Sequence, residues 1–194
     1  ADAHLDDSVE RLKTLVAIKS ISTDPAYAGE VRRAADLLVA DLSTLGFDAS
    51  VRTTPGHPMV VAHDHQAAGP QVLFYAHYDV QPVDPVNLWD SPPFEPVIKP
   101  AEKGGPGERI VARGAVDDKG QVMTFIESCR AWKAVSGHAT GGARFTLMLE
   151  GEEESGSANL EAFVRDRKAQ LAKCDVCLIS DTGMLGRGKP AITY

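Results

Sequence analysis

The residues that could do chemistry in this chain sit where apolar runs stop. His77 and Asp79 end "QVLFYAHYD" (71–79), and Asp117 and Asp118 follow "RIVARGA" (109–115). Glu150, Glu152, Glu153 and Glu154 follow "RFTLML" (144–149), and Asp181 closes "CDVCLISD" (174–181). Like charges at this density repel, and burial raises the cost of each. A divalent cation reverses that balance, because it becomes the largest local charge and each carboxylate becomes a ligand. One histidine among several carboxylates suits zinc, manganese or cobalt better than calcium, and a pair of metals needs a bridging carboxylate. Each piece also has a plainer reading. His-x-Asp can be a capped loop, Asp117-Asp118 a helix N-cap, Glu150–Glu154 a solvated turn, and Asp181 a strand end. Their shared position at strand ends favours one converged site.

The elements that must position these groups are legible in the periodicity. Helical spacing marks "DDSVERLKTLVAIKSI" (6–21) and "GEVRRAADLLVADLSTLG" (29–46), the second stopping at Gly46. Short strands are predicted at 48–54 and 59–64, then a nearly unbroken apolar strand at 71–79, as expected for a strand covered on both faces. Residues 81–108 are rich in Pro and Gly and read as a long ordered excursion. Strand 109–115, helix 119–135, strand 144–150, helix 158–171 and strand 174–181 complete the chain. Such alternation implies an α/β fold, a layered sheet with helices on both faces, and in such sheets ligands bind beyond the carboxyl ends of the strands.

Bulk properties exclude several partners. The 194 residues carry a net charge of -7 with 43% hydrophobic residues, so the expectation is a soluble globular protein with no nucleic-acid partner. No apolar run approaches the roughly 20 residues that span a bilayer, so no membrane partner is expected. Three cysteines are too few for a disulfide framework and favour a cytoplasmic setting.

With these motifs in order, the sequence resembles the zinc-dependent metallopeptidases that include carnosine dipeptidase, glutamate carboxypeptidase, aminoacylase and succinyl-diaminopimelate desuccinylase. "YAHYDVQPV" (75–83), "RGAVDDKG" (113–120), "EGEEESGS" (150–157) and "LISDTG" (178–183) carry the resemblance, and "NLWDSPPFEPVIK" (87–99) is similar to the dipeptidase branch. The resemblance implies two zinc ions in the complete enzyme, with manganese or cobalt as alternatives. It implies that His77 and Asp181 bind one ion, Asp117 bridges, Glu154 binds the other, and Glu153 is the general base. Asp79 would hydrogen-bond the far nitrogen of His77, and the Asp117–Asp118 peptide bond would be cis. The implied reaction is hydrolysis of the amide bond of a dipeptide or small peptide by a metal-activated water. N-acyl amino acids are the alternative substrates, and a truncated, non-catalytic fragment is the rival reading.

Family members are about twice this length. They carry an inserted lid or dimerisation domain and supply a further metal-binding histidine after it. The chain is therefore expected to be the N-terminal part (1–194) of a catalytic domain, binding at most one metal tightly by itself, with a homodimer allowed for the full-length protein. His138 reads as a surface-loop residue, Cys174 and Cys177 as buried core thiols, and His57, His63 and His65 as an exposed hairpin region. Alternation places Glu152 away from Glu153, and Glu150 has no assigned role.

Overall fold

The structure, a computed structural model, describes residues 4–64, 68–101, 107–186, 189 and 191–192. His65 and the Gly-rich stretch 102–106 of the excursion lie outside the described residues. Among the described residues, seven strands and five α-helices follow in chain order: α1 (Leu5–Val16), α2 (Ala28–Leu45), β1 (Asp48–Arg52), β2 (Met59–His63), β3 (Gln71–His77), β4 (Val97–Pro100), β5 (Glu108–Val111), α3 (Lys119–Ser136), β6 (Arg144–Glu150), α4 (Leu160–Asp166), α5 (Lys168–Leu171) and β7 (Val176–Ile179). Helix α2 ends as predicted at Gly46, whose φ of 98° only glycine adopts freely.

Five strands form a mixed sheet in the order β1-β2-β6-β3-β7. β1, β2 and β6 pair antiparallel, whereas β3 lies parallel to both β6 and β7. Side-chain alternation sends the two faces into two apolar clusters. Val60, Ala62, Phe74, Ala76, Leu147 and Leu149 pack with residues of α1, α2 and α3. Met59, Val61 and Met148 pack on the other side with Phe163 of α4, joined by Leu160 and Leu171. The predicted layered α/β architecture is thus present, and the central strands are apolar on both faces because both are covered.

Three local expectations are corrected. "RIVARGA" does not enter the main sheet: only Glu108–Val111 is strand, and it pairs antiparallel with β4 in a separate ribbon. The helix predicted at 158–171 is broken at Arg167 into α4 and α5. Cys174 is half-buried and Cys177 exposed, rather than core thiols, because β7 lies at the sheet edge with all four residues exposed. Among the described residues no helix is long and apolar enough to cross a membrane.

Candidate metal centre

The parallel trio β6-β3-β7 dictates where the acidic motifs meet. β3 lies between its two partners, and the register pairs His77 with Glu150 on one side and Tyr75 with Ile179 on the other. Two residues beyond that second pair, Asp181 comes level with His77. The chain after Glu150 turns back in a single 3-10 turn, Glu153–Ser155, on the opposite flank. Asp117 arrives from the loop before α3, so the fourth segment reaches the site without a strand of the main sheet behind it.

His77 is fully buried at the centre of this arrangement. Its Nε2 lies 3.1 Å from Asp117 Oδ1, 3.8 Å from Asp181 Oδ2 and 4.0 Å from Glu153 Oε2. His77, Asp117 and Asp181 each offer one ligand atom, all within 4.8 Å of one another. An imidazole nitrogen with carboxylate oxygens at this spacing is the donor set of a zinc-like cation, so the residues fit one. The carboxylates keep partial access to solvent while His77 has none.

The ring's other nitrogen, Nδ1, faces Asp79, 3.1 Å from its carbonyl oxygen and 3.3 Å from Oδ1. Asp79 therefore faces the far nitrogen of His77 with both its main-chain carbonyl and its carboxylate. The buried Asp79 carboxylate has a second use, since Oδ1 accepts from Glu153 N at 3.2 Å and Oδ2 from Glu154 N at 3.0 Å. One carboxylate therefore faces the histidine and also fixes the main chain of the acidic turn. Burial works against a charged His77 ring, yet the hydrogen bond to Asp79 and the fields of Asp79, Asp118 and Glu153 outweigh it and raise its pKa to about 10.

Glu154 lies outside the triad. Its Oε2 accepts from Gln81 Nε2 at 2.6 Å, and burial raises its pKa against that hydrogen bond, with the Asp117 charge adding and the His77 charge opposing. Glu152 faces away from the site, as predicted, though through the 3-10 turn rather than strand alternation. Its carboxylate accepts from His57 N at 3.0 Å, Asn159 N at 2.7 Å and Asn159 Nδ2 at 2.9 Å. Glu150, left without a role in the sequence, is buried and accepts from the hydroxyl of Tyr75.

The capping reading of Asp118 fails. It occupies the N-cap of α3 but makes no side-chain cap, and its Oδ2 instead accepts from His77 N at 3.1 Å. Burial pushes its carboxyl up to about 7 despite that donor. The Asp117–Asp118 bond is cis, as implied. Lys119 is buried beneath the loop and donates to Leu15 O at 3.1 Å and Ile18 O at 2.7 Å, tying the end of α1 to the Asp117 segment.

The histidines set aside in the sequence stay apart from this site. His138 is exposed. His57 and His63, expected to be exposed, are half-buried: His57 Nε2 lies 2.8 Å from Ser22 O, and His63 Nδ1 lies 3.1 Å from Thr146 Oγ1. Sequence reasoning missed Gln81, Asp118 and the Tyr75–Glu150 pair. The i, i+2, i+4 spacing of His77, Asp79 and Gln81 was the one available signal.

The parallel strands thus bring a histidine and two carboxylates together in a group that could hold a divalent cation. The sequence profile of Peptidase family M20/M25/M40 matches residues 73–194, and the chain belongs to that family. It is 33% identical over 209 residues to the Cys-Gly metallodipeptidase dug1 of Schizosaccharomyces pombe, covering all of this chain and 41% of the relative. It is 33% identical to the human Beta-Ala-His dipeptidase, covering all of this chain and 39% of that protein. Among solved structures, the di-peptidase Dug1p of Saccharomyces cerevisiae superposes with a TM-score of 0.81 at 29% identity, over 95% of this chain and 40% of that one. Human carnosine dipeptidase 1 gives a TM-score of 0.82 at 28% identity, over 93% and 39%. The chain thus spans about 40% of the length of these relatives.

Proposed function

We propose that this chain is the N-terminal part of the catalytic domain of a zinc-dependent dipeptidase. The observation that carries this reading is the convergence of His77, Asp117 and Asp181 within 4.8 Å, with Glu153 at 4.0 Å from the same ring nitrogen. His77 and Asp181 would hold one ion, Asp117 would bridge to a second, and Glu154 would hold that second ion; manganese or cobalt would suit the same donors. The cations would supply Lewis acidity, making a water more acidic and polarising the scissile carbonyl. Glu153, half-exposed beside the triad, takes the water's proton and returns it to the departing amine, work worth about 10²–10⁴-fold for a well-placed base. Asp79 presents the ring of His77 and, through the main chain, the turn that carries Glu153. The names of the relatives, Cys-Gly and Beta-Ala-His dipeptidases, favour a dipeptide over an N-acyl amino acid. Three cysteines, none of them in a disulfide, fit a reducing cytoplasm.

The test is Glu153→Gln in the polypeptide that carries this chain, assayed on Cys-Gly and β-Ala-His with metal content measured in parallel. Turnover should vanish while bound metal is unchanged. A variant that hydrolyses either dipeptide at the parental rate overturns the assignment of the base.

A further inference from the structure

Gln81 follows His77 and Asp79 at spacings of four and two residues, and nothing in the reaction above uses it. Its Nε2 donates to Glu154 Oε2 at 2.6 Å and to the Glu154 carbonyl at 3.3 Å. Both hydrogens of one amide are thereby directed at one residue. The backbone on either side is pinned by other parts of the fold. Val80 bridges Ile21 and donates to Ser20 O at 2.9 Å, and the Pro82 carbonyl accepts from the Arg113 guanidinium at 2.9 Å. Arg113 is itself placed over the Trp89 ring, 5.2 Å from its centroid. An exposed glutamine ordinarily samples several rotamers, but here its Cα is fixed from both sides and its amide meets a charged acceptor. Asp79 fixes the main chain of Glu154, yet it does nothing for the rotamer of that side chain.

We propose that Gln81 is a positioning residue for Glu154. It engages Oε2 and thereby fixes the carboxylate's rotamer, leaving Oε1 to ligate a divalent cation. The inference rests on the metal-hydrolase reading above. Hydrogen bonds of this kind to a ligating carboxylate typically change metal affinity 10- to 100-fold when removed.

Cobalt(II) is the probe, titrated into the polypeptide that carries this chain and followed by its visible d–d absorption and by equilibrium dialysis. Gln81→Met keeps the length and shape of the side chain and removes both donors. It should weaken cobalt binding about tenfold or more and change the d–d band in the manner of Glu154→Gln, while the melting temperature of the cation-free protein stays put. In a Glu154→Gln background, Gln81→Met should have no further effect, since its action runs through that carboxylate. Parental cobalt affinity in Gln81→Met alongside a weakened Glu154→Gln overturns the proposal, as does an equal loss in both backgrounds. If His77→Ala and Glu154→Gln both bind cobalt like the parent, the metal reading itself fails and the proposal falls with it.

Discussion

Glu127 offers a test that needs no metal and works through the framework that carries the site. Its carboxylate joins two helices: Arg11 of α1 donates through Nε and Nη2, each at 2.7 Å, and Ser8 adds a third bond at 2.7 Å. Arg130, one turn along α3, donates from Nε at 3.1 Å and reaches Asp41 of α2 with its other nitrogen at 2.5 Å. Burial raises the carboxyl's pKa, but the hydrogen bonds from Arg11, Ser8 and Arg130 outweigh it and bring the group from 4.5 down to about 2. A folded-state value below the unfolded one means the unfolded chain takes up the proton first. The stabilisation is therefore fully present above about pH 4.5 and drains away as the pH falls towards about 2. The drop from 4.5 to about 2 corresponds to about 3 kcal/mol before screening. Solvent screening of this partly exposed network reduces that to about 1–2 kcal/mol. In urea denaturation, Glu127→Gln should be less stable than the parent at pH 6, and the gap should narrow by about 1–2 kcal/mol between pH 5 and pH 2.5. Taking the difference between the two proteins removes the contribution of carboxylates that titrate alike in both. A gap that stays constant across that range, or no gap at pH 6, would refute the reasoning.

Asp79→Asn keeps the shape but turns an N–H donor toward groups that are themselves donors, the amides of Glu153 and Glu154. It should destabilise by about 2–4 kcal/mol and lower the affinity for cobalt, read by thermal melting and equilibrium dialysis; a change under 0.5 kcal/mol would remove Asp79 as the clamp of the acidic turn. Gly151→Ala would put a Cβ 2.3 Å from the Tyr78 hydroxyl and 2.8 Å from Pro58 O, two groups locked together by their own 2.5 Å hydrogen bond. An overpacking loss of about 1–3 kcal/mol is expected in urea melts, and a neutral result would show that the turn yields more easily than the contacts indicate. Under native conditions a disulfide reagent should label Cys177 first and leave Cys129 untouched, since the latter is buried and its thiol is pushed up to about 12; rapid labelling of Cys129 by mass spectrometry would contradict that placement.

What could be read from the sequence was whatever depends on near neighbours. β6 runs from Arg144 to Glu150 as its apolar pattern required, and α2 stops where Gly46 permits the left-handed turn. Features decided by distant partners were hidden. "RIVARGA" is as apolar as a sheet strand, but β6 and β7 already occupy both edges of β3, so it pairs with β4 instead. Cys177 lies in a β-rich run that looks like core, and only the edge position of β7 exposes it. Asp118 has the right type and place for an N-cap, yet the backbone N–H of His77 competes for its oxygen and wins. His77, Asp117, Asp181 and Glu153 were nameable because their motifs are contiguous in sequence. The role of Gln81 depends on a contact 73 residues away, which no local pattern encodes.

The acids after β6 can share so small a volume because the fold treats each differently. Glu150 is buried, and that burial raises its pKa against the hydroxyl bond from Tyr75. Glu152 is surrounded by main-chain and amide donors, which meet its charge with dipoles rather than a counter-ion. Glu153 and Glu154 donate their main-chain N–H groups to Asp79, and the Glu154 carboxylate accepts from Gln81 Nε2. At His77 the hydrogen bond to Asp79 and the negative fields of Asp79, Asp118 and Glu153 outweigh burial and raise the ring's pKa to about 10. A proton and a cation compete for the same Nε2 lone pair, because only the deprotonated imidazole can ligate. The field that makes this ring so basic would also draw a divalent cation to it. Two of the four glutamates are thus quenched by the scaffold and two are left to act on whatever positive charge occupies the end of β3.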